Sequence, residues 1–84
     1  MGLPEPERLT PERIALRIAF EAIRWTKGKS GRLDAFASVF GIDRRPVVEQ
    51  AKSAGCGERS FYRNVKELRA LVEVWRVELE SGGE

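Results

Sequence analysis

Residues 58–80 run for 23 positions without a glycine or a proline. Within them Phe61, Val65, Leu68, Val72, Trp75 and Leu79 recur at spacings of 4, 3, 4, 3 and 4. Such a seam belongs to one continuous helix with a single apolar stripe. At 1.5 Å per residue the rod is about 35 Å long, a large dimension for so short a chain. Leu71, Val74 and Val77 add a second apolar edge on the rear half only. The front half can bury its seam against preceding helices. The rear half carries more apolar surface than the rest of the chain can cover. This predicts a homodimer built on Leu71, Val72, Val74, Trp75 and Leu79, with help from the first helix. The alternative is a monomer in which the rear half folds back onto that helix. Arg69–Glu73 and Arg76–Glu80 are spaced as i,i+4 pairs, each contributing a few tenths of a kcal/mol.

The stretch leading into the rod, AKSAGCGERSFYRNVKEL from Ala51 to Leu68, reads as a helix end, a sharp turn and a helix start. Ala51 is small where a second helix must cross closely. Gly55 is placed to take the left-handed conformation that stops a helix. Cys56 puts a small apolar side chain under the turn, and Gly57 serves as an N-cap. Phe61, Val65 and Leu68 form the buried stripe. Arg59, Ser60, Tyr62, Arg63 and Lys66 lie on the other side.

The run Ala-x-x-x-Gly-Cys-Gly-x-x-Ser-Phe-Tyr-Arg-x-Val-x-x-Leu resembles the core motif of small helix-turn-helix DNA-binding proteins of bacterial and phage regulators. The resemblance covers 18 of the 84 residues. It departs at Gly57, where such motifs usually carry a serine or a similar cap. It implies that the second helix of the pair enters a DNA major groove. Arg59, Ser60 and Arg63 would then face base edges. Tyr62, Lys66, Lys52, Arg44 and Arg45 would hold phosphates.

Charge distribution agrees with a polarised surface. Residues 43–69 carry seven basic and four acidic side chains, whereas residues 70–84 carry one basic and four acidic. A net charge of +2 over the chain is also compatible with ordinary solvated faces. At 84 residues, 42% hydrophobic and 33% charged, the chain is one folded domain. The single cysteine forms no internal disulfide, which points to a reducing, cytoplasmic setting. With no histidine there is no His-based metal site or general base. The scattered carboxylates form no catalytic constellation. No enzyme activity, cofactor or metal is expected. No apolar run approaches the roughly 20 residues that span a bilayer, so no membrane partner is expected.

Residues 1–9 contain two prolines and are expected to be flexible, as are residues 81–84. Residues 10–80 form the domain. A first helix starts with Thr10 as N-cap and Pro11 at the first position and runs to Lys27, stopping at Gly28. It is apolar on more than one side, so it sits centrally in the fold or packs on a second chain. Trp25 is expected in the core or at an interface, not as a functional aromatic. Arg13, Arg17, Glu21 and Arg24 mark its wet face. Lys27, Lys29 and Arg32 cluster around a GKSG loop, either to touch a DNA backbone or as the solubilising cations common in a Gly/Ser loop. A short second helix spans residues 32–40, with Leu33, Phe36, Ala37 and Phe40 inward and Gly41 closing it. A third covers residues 44–54 with Asp43 as N-cap. Its inward residues are Val47, Val48 and Ala51, and Glu49, Gln50, Lys52 and Ser53 face solvent or phosphate.

A second register exists. Ala37, Gly41, Ile42, Val47 and Ala51 fit the same template 14 residues earlier. That register would put Pro46 inside the reading helix, so the later one is preferred. The expectation is an all-α, four-helix domain containing a helix-turn-helix, with a long C-terminal helix and no β-wing. The expected function is sequence-specific binding of double-stranded DNA by a homodimeric transcriptional regulator. The resemblance places its origin in a phage or mobile element. The alternatives are a helical adaptor or inhibitor of a host protein such as RNA polymerase, and a small DNA-packaging subunit.

Overall fold

The computed structural model describes residues 10–28 and 31–81. Four helices follow one another: α1 Pro11–Thr26, α2 Arg32–Val39, α3 Val47–Ser53 and α4 Glu58–Ser81. Among the described residues there is no strand, so the domain is all-α and has no β-wing. The expected flexible segments, residues 1–9 and 82–84, lie outside the described residues. Ser81 still belongs to α4 and donates its hydroxyl to the Val77 carbonyl at 2.7 Å.

α1 begins as its sequence demands. Thr10 is extended, its hydroxyl accepts from the Arg13 N–H at 3.2 Å, and Pro11 occupies the first helical position. It ends at Thr26, one residue before the expected Lys27. Ile18 and Ala22 are its buried residues. Leu16, Phe20 and Ile23 are 56%, 60% and 44% exposed. The helix is therefore covered on one side, and its second apolar side faces outward.

α4 is one unbroken helix of 24 residues. Phe61, Val65 and Leu68 are its buried residues. Phe61 and Val65 cluster with Ala35 of α2 and Ala51 of α3, and Trp25, Val39, Ala54 and Cys56 pack against that cluster. Ala35 and Ala51 have essentially no exposed surface. Burying Phe61 and Leu68 stabilises the fold by about 1.5–3 kcal/mol each. α4 touches each of the other three helices.

The rear of α4 is covered less well. Leu71, Val72, Trp75 and Leu79 are half-buried, while Val74 and Val77 are exposed. The molecule measures 58 × 22 × 17 Å, with a radius of gyration of 15.7 Å. A compact chain of this length has a radius near 12 Å by the usual scaling.

Several local expectations are corrected. α3 starts at Val47, not at residue 44, and Pro46 rather than Asp43 stands at its N-cap. The Asp43 carboxylate is turned to Arg45 instead. Val47 and Val48 are exposed, and Gln50 and Ala51 are the buried residues of α3. Leu33 is 68% exposed, and Ala35 takes the inward position on α2. Phe36 and Phe40 stack at 4.6 Å and are half-buried. Glu73 pairs with Arg76 instead of Arg69, and Arg76 also meets Glu80 at 3.5 Å.

The α3–α4 turn is built differently from the sequence reading. Gly57, not Gly55, has the positive φ, at 89°. Ala54 leaves α3 in an extended conformation. The Gly57 carbonyl then accepts the Phe61 N–H at 3.0 Å, opening α4. A second constraint lies at Gly31, whose φ is 87°. A Cβ there would meet the Cys56 Cβ and Sγ at 2.6 Å. Cys56 thus fills the space beside the start of α2.

These contacts set a contrast measurable by urea unfolding. Gly31→Ala should cost about 1–3 kcal/mol, because it combines left-handed backbone with a clash. Gly55→Ala, with nothing within 4 Å and no positive φ, should change stability by no more than about 0.5 kcal/mol. Leu68→Ala should cost about 2–5 kcal/mol.

Candidate nucleic-acid interface

The four-residue turn, residues 54–57, joins α3 to α4 and sets the front of α4 at the surface. With Phe61, Val65 and Leu68 turned inward, the roughly 100° step per residue turns residues 59, 63 and 66 outward. Arg59, Arg63 and Lys66 are all exposed. They follow one another at spacings of 4 and 3, so their cations line one strip along the first two turns and a half. None has an ion-pair partner among the described residues.

Other expected residues are distributed around this strip. Tyr62 is 44% exposed and meets the Phe61 ring edge-to-face at 5.7 Å. The core thereby limits where its ring can turn. Ser60 is half-buried and falls to the side of the strip. Lys52 is exposed near the end of α3, and Arg44 is exposed in the connection before it.

Arg45 is exposed but engaged. Its Nη2 lies 2.7 Å from Asp43 Oδ2, its Nε donates to Oδ1 at 3.0 Å, and its backbone N–H donates to Oδ1 at 3.1 Å. The Arg45 side chain, then its N–H, hold the Asp43 carboxyl below its usual range. The same hydrogen bond and charge hold the Arg45 guanidinium above its own. Gln50 anchors this segment: its amide donates to the Asp43 carbonyl at 3.0 Å and to the Arg45 carbonyl at 2.6 Å. Gln50 is thus a buried brace and not a solvent or phosphate contact. Asp43 and Gln50 were missed as determinants of where Arg45 points. The one local signal was Asp two residues before Arg, the spacing of an Asx turn.

Arg32 does not belong to a phosphate-facing cluster. Its guanidinium lies over the Trp25 ring at 4.6 Å, donates to the Trp25 carbonyl at 2.9 Å and faces Glu67 at 3.6 Å. It ties the end of α1 to α2 and α4. Lys27 is exposed, and Lys29 lies outside the described residues.

Leu71, Val72, Trp75 and Leu79, expected at a dimer interface, are half-buried within one chain, and Val74 is exposed. A shallow depression on α1 is lined by Arg13, Leu16, Arg17 and Phe20. Among the described residues no group of three or more Cys, Asp or Glu is placed to hold a metal ion. No helix among them is long and apolar enough to cross a membrane. The chain matches no family model, no curated protein and no solved structure.

The lowered Asp43 carboxyl has a sign that can be checked. The Asp43–Arg45 pair contributes fully above the ordinary carboxylate value of 3.8 and is lost as pH falls through the lower folded value. An NMR titration should find the Asp43 midpoint below the ordinary value, and Arg45→Ala should return it upward. An Asp43 midpoint unchanged by that substitution would break the assignment.

Proposed function

We propose that this chain binds double-stranded DNA sequence-specifically, with the front of α4 in the major groove. Its biological role would be that of a small transcriptional regulator of phage or mobile-element type, acting as a homodimer. The observation that carries the reading is the outward strip of Arg59, Arg63 and Lys66 on a helix whose opposite side is locked in the core. A rigid, cationic helix face is what groove entry needs, because the DNA backbone attracts it and the core holds its register.

Roles follow from reach and chemistry. Arg59 and Arg63 carry planar forks that match the two acceptors of a guanine edge. Ser60, partly covered at the side of the strip, makes at most a peripheral base contact. Lys66, Lys52, Arg44 and Tyr62 are phosphate ligands that set position and salt sensitivity. Arg45 joins them only by leaving Asp43. The later of the two helix-turn-helix registers is favoured by the four-residue turn before α4. The α2–α3 connection takes residues 40–46 and contains Pro46.

A second reading has its own support. The exposed Leu16, Phe20, Val74 and Val77 suit an adaptor or inhibitor that grips a host protein such as RNA polymerase. A DNA-packaging subunit would combine both surfaces.

Binding to mixed duplex over a salt series separates these readings. A DNA-binding protein loses affinity steeply as salt rises, and an adaptor binds no duplex at low salt. On a selected site Arg63→Ala should lose about 1–3 kcal/mol, and Lys66→Ala should lower the salt slope by about one. Asp43→Ala should strengthen duplex binding at low salt by releasing Arg45. Unchanged site affinity in the Arg63 variant would remove α4 from the groove.

A further inference from the structure

Two outward apolar stripes share one spacing. On α1, Leu16, Phe20 and Ile23 are exposed and lie roughly opposite the buried Ile18 and Ala22. On the rear of α4, Ala70, Val74 and Val77 are exposed and lie roughly opposite the Leu68–Val72 seam. Each set steps by 4 and then 3, so each forms a straight ridge or groove on its helix. The α1 set is large and the α4 set is small.

Their rims carry opposite charge. α1 holds three arginines, Arg13, Arg17 and Arg24, against two glutamates, Glu12 and Glu21. Arg24 faces Glu21 at 3.5 Å, and Arg13 and Arg17 line the depression beside Leu16 and Phe20. Residues 70–81 hold three glutamates, Glu73, Glu78 and Glu80, against one arginine, Arg76. Arg76 engages Glu73 and Glu80 on its own helix. Glu78 has no ion-pair partner among the described residues, and neither has Arg17.

We propose that the Leu16–Phe20–Ile23 face of α1 docks on the Ala70–Val74–Val77 face of α4 in a second copy of this chain. Large side chains enter a row of small ones, and Arg17 approaches Glu78 across the rim. Pairing the α4 rear with its own copy would set glutamates against glutamates, which like-charge repulsion disfavours. Each stripe points away from the helices its own helix packs on, so one chain cannot satisfy both. The contact joins unlike faces: a two-fold dimer makes it twice, α1 of each copy on α4 of the other, and without that closure it propagates to a ring or an open oligomer. This inference rests on the self-association part of the reading above and not on DNA binding.

Sedimentation of the full chain over a concentration series tests it, with circular dichroism confirming helix content in every variant. Arg17→Glu and Glu78→Arg should each weaken association by about three- to tenfold. Mixing the two variants, or combining both changes in one chain, should restore it. Phe20→Ser should weaken association, and no charge change should rescue it. Association untouched by Arg17→Glu but strengthened by Glu78→Arg would show an α4–α4 contact, overturning the proposed faces while leaving self-association intact. A monomeric wild type would overturn both. So would a wild type that stays monomeric while its Phe20 face binds anionic phosphatidylglycerol vesicles.

Discussion

Two alanines hold the structure together. Ala35 on α2 and Ala51 on α3 have no side chain beyond Cβ, and Phe61 of α4 fills the space they leave. That close approach pins the front of α4 against two short helices of eight and seven residues. Helices this short are marginal alone, so they depend on the same contact. Trp25 and Cys56 close the cluster from its edges, and Arg32 bridges α1, α2 and α4.

Anchoring at one end has a consequence at the other. α4 has 24 residues, about 36 Å at the standard rise, and its fully buried residues all fall at or before Leu68. Along its outward face the chemistry changes near Ala70. Arg59, Arg63 and Lys66 come first, then Ala70, Val74 and Val77 with glutamates on either side. One rod thus carries a cationic surface and an apolar surface in series, in a fixed relative register. A ligand at the front and a protein at the rear would be aligned by the helix itself.

The sequence was most readable where a single helix period decided the outcome. The seam of α4, its unbroken length, the Thr10 cap and the buried Ala51 all follow from local spacing or capping chemistry. It was least readable where short segments compete. Val47 and Val48 are apolar yet exposed, because α3 begins three residues later than its acidic N-cap candidate suggested. Gln50 is the residue turned inward instead, where its amide finds two carbonyls. In the turn, either glycine could have taken the left-handed bend. Gly57 takes it, at the step where the chain opens α4. Of the candidate site, the cationic strip was legible from period alone. The engagement of Arg45 by Asp43, and of Arg32 by Trp25 and Glu67, was not.

What the sequence determined by itself is therefore the set of helices and the inward stripe of the longest one, since these rest on interactions between residues three or four apart. Tertiary structure alone decided which apolar side of α1 is covered and that Arg32 is held between Trp25 and Glu67. Those outcomes depend on partners distant in the chain, at separations that no periodicity encodes.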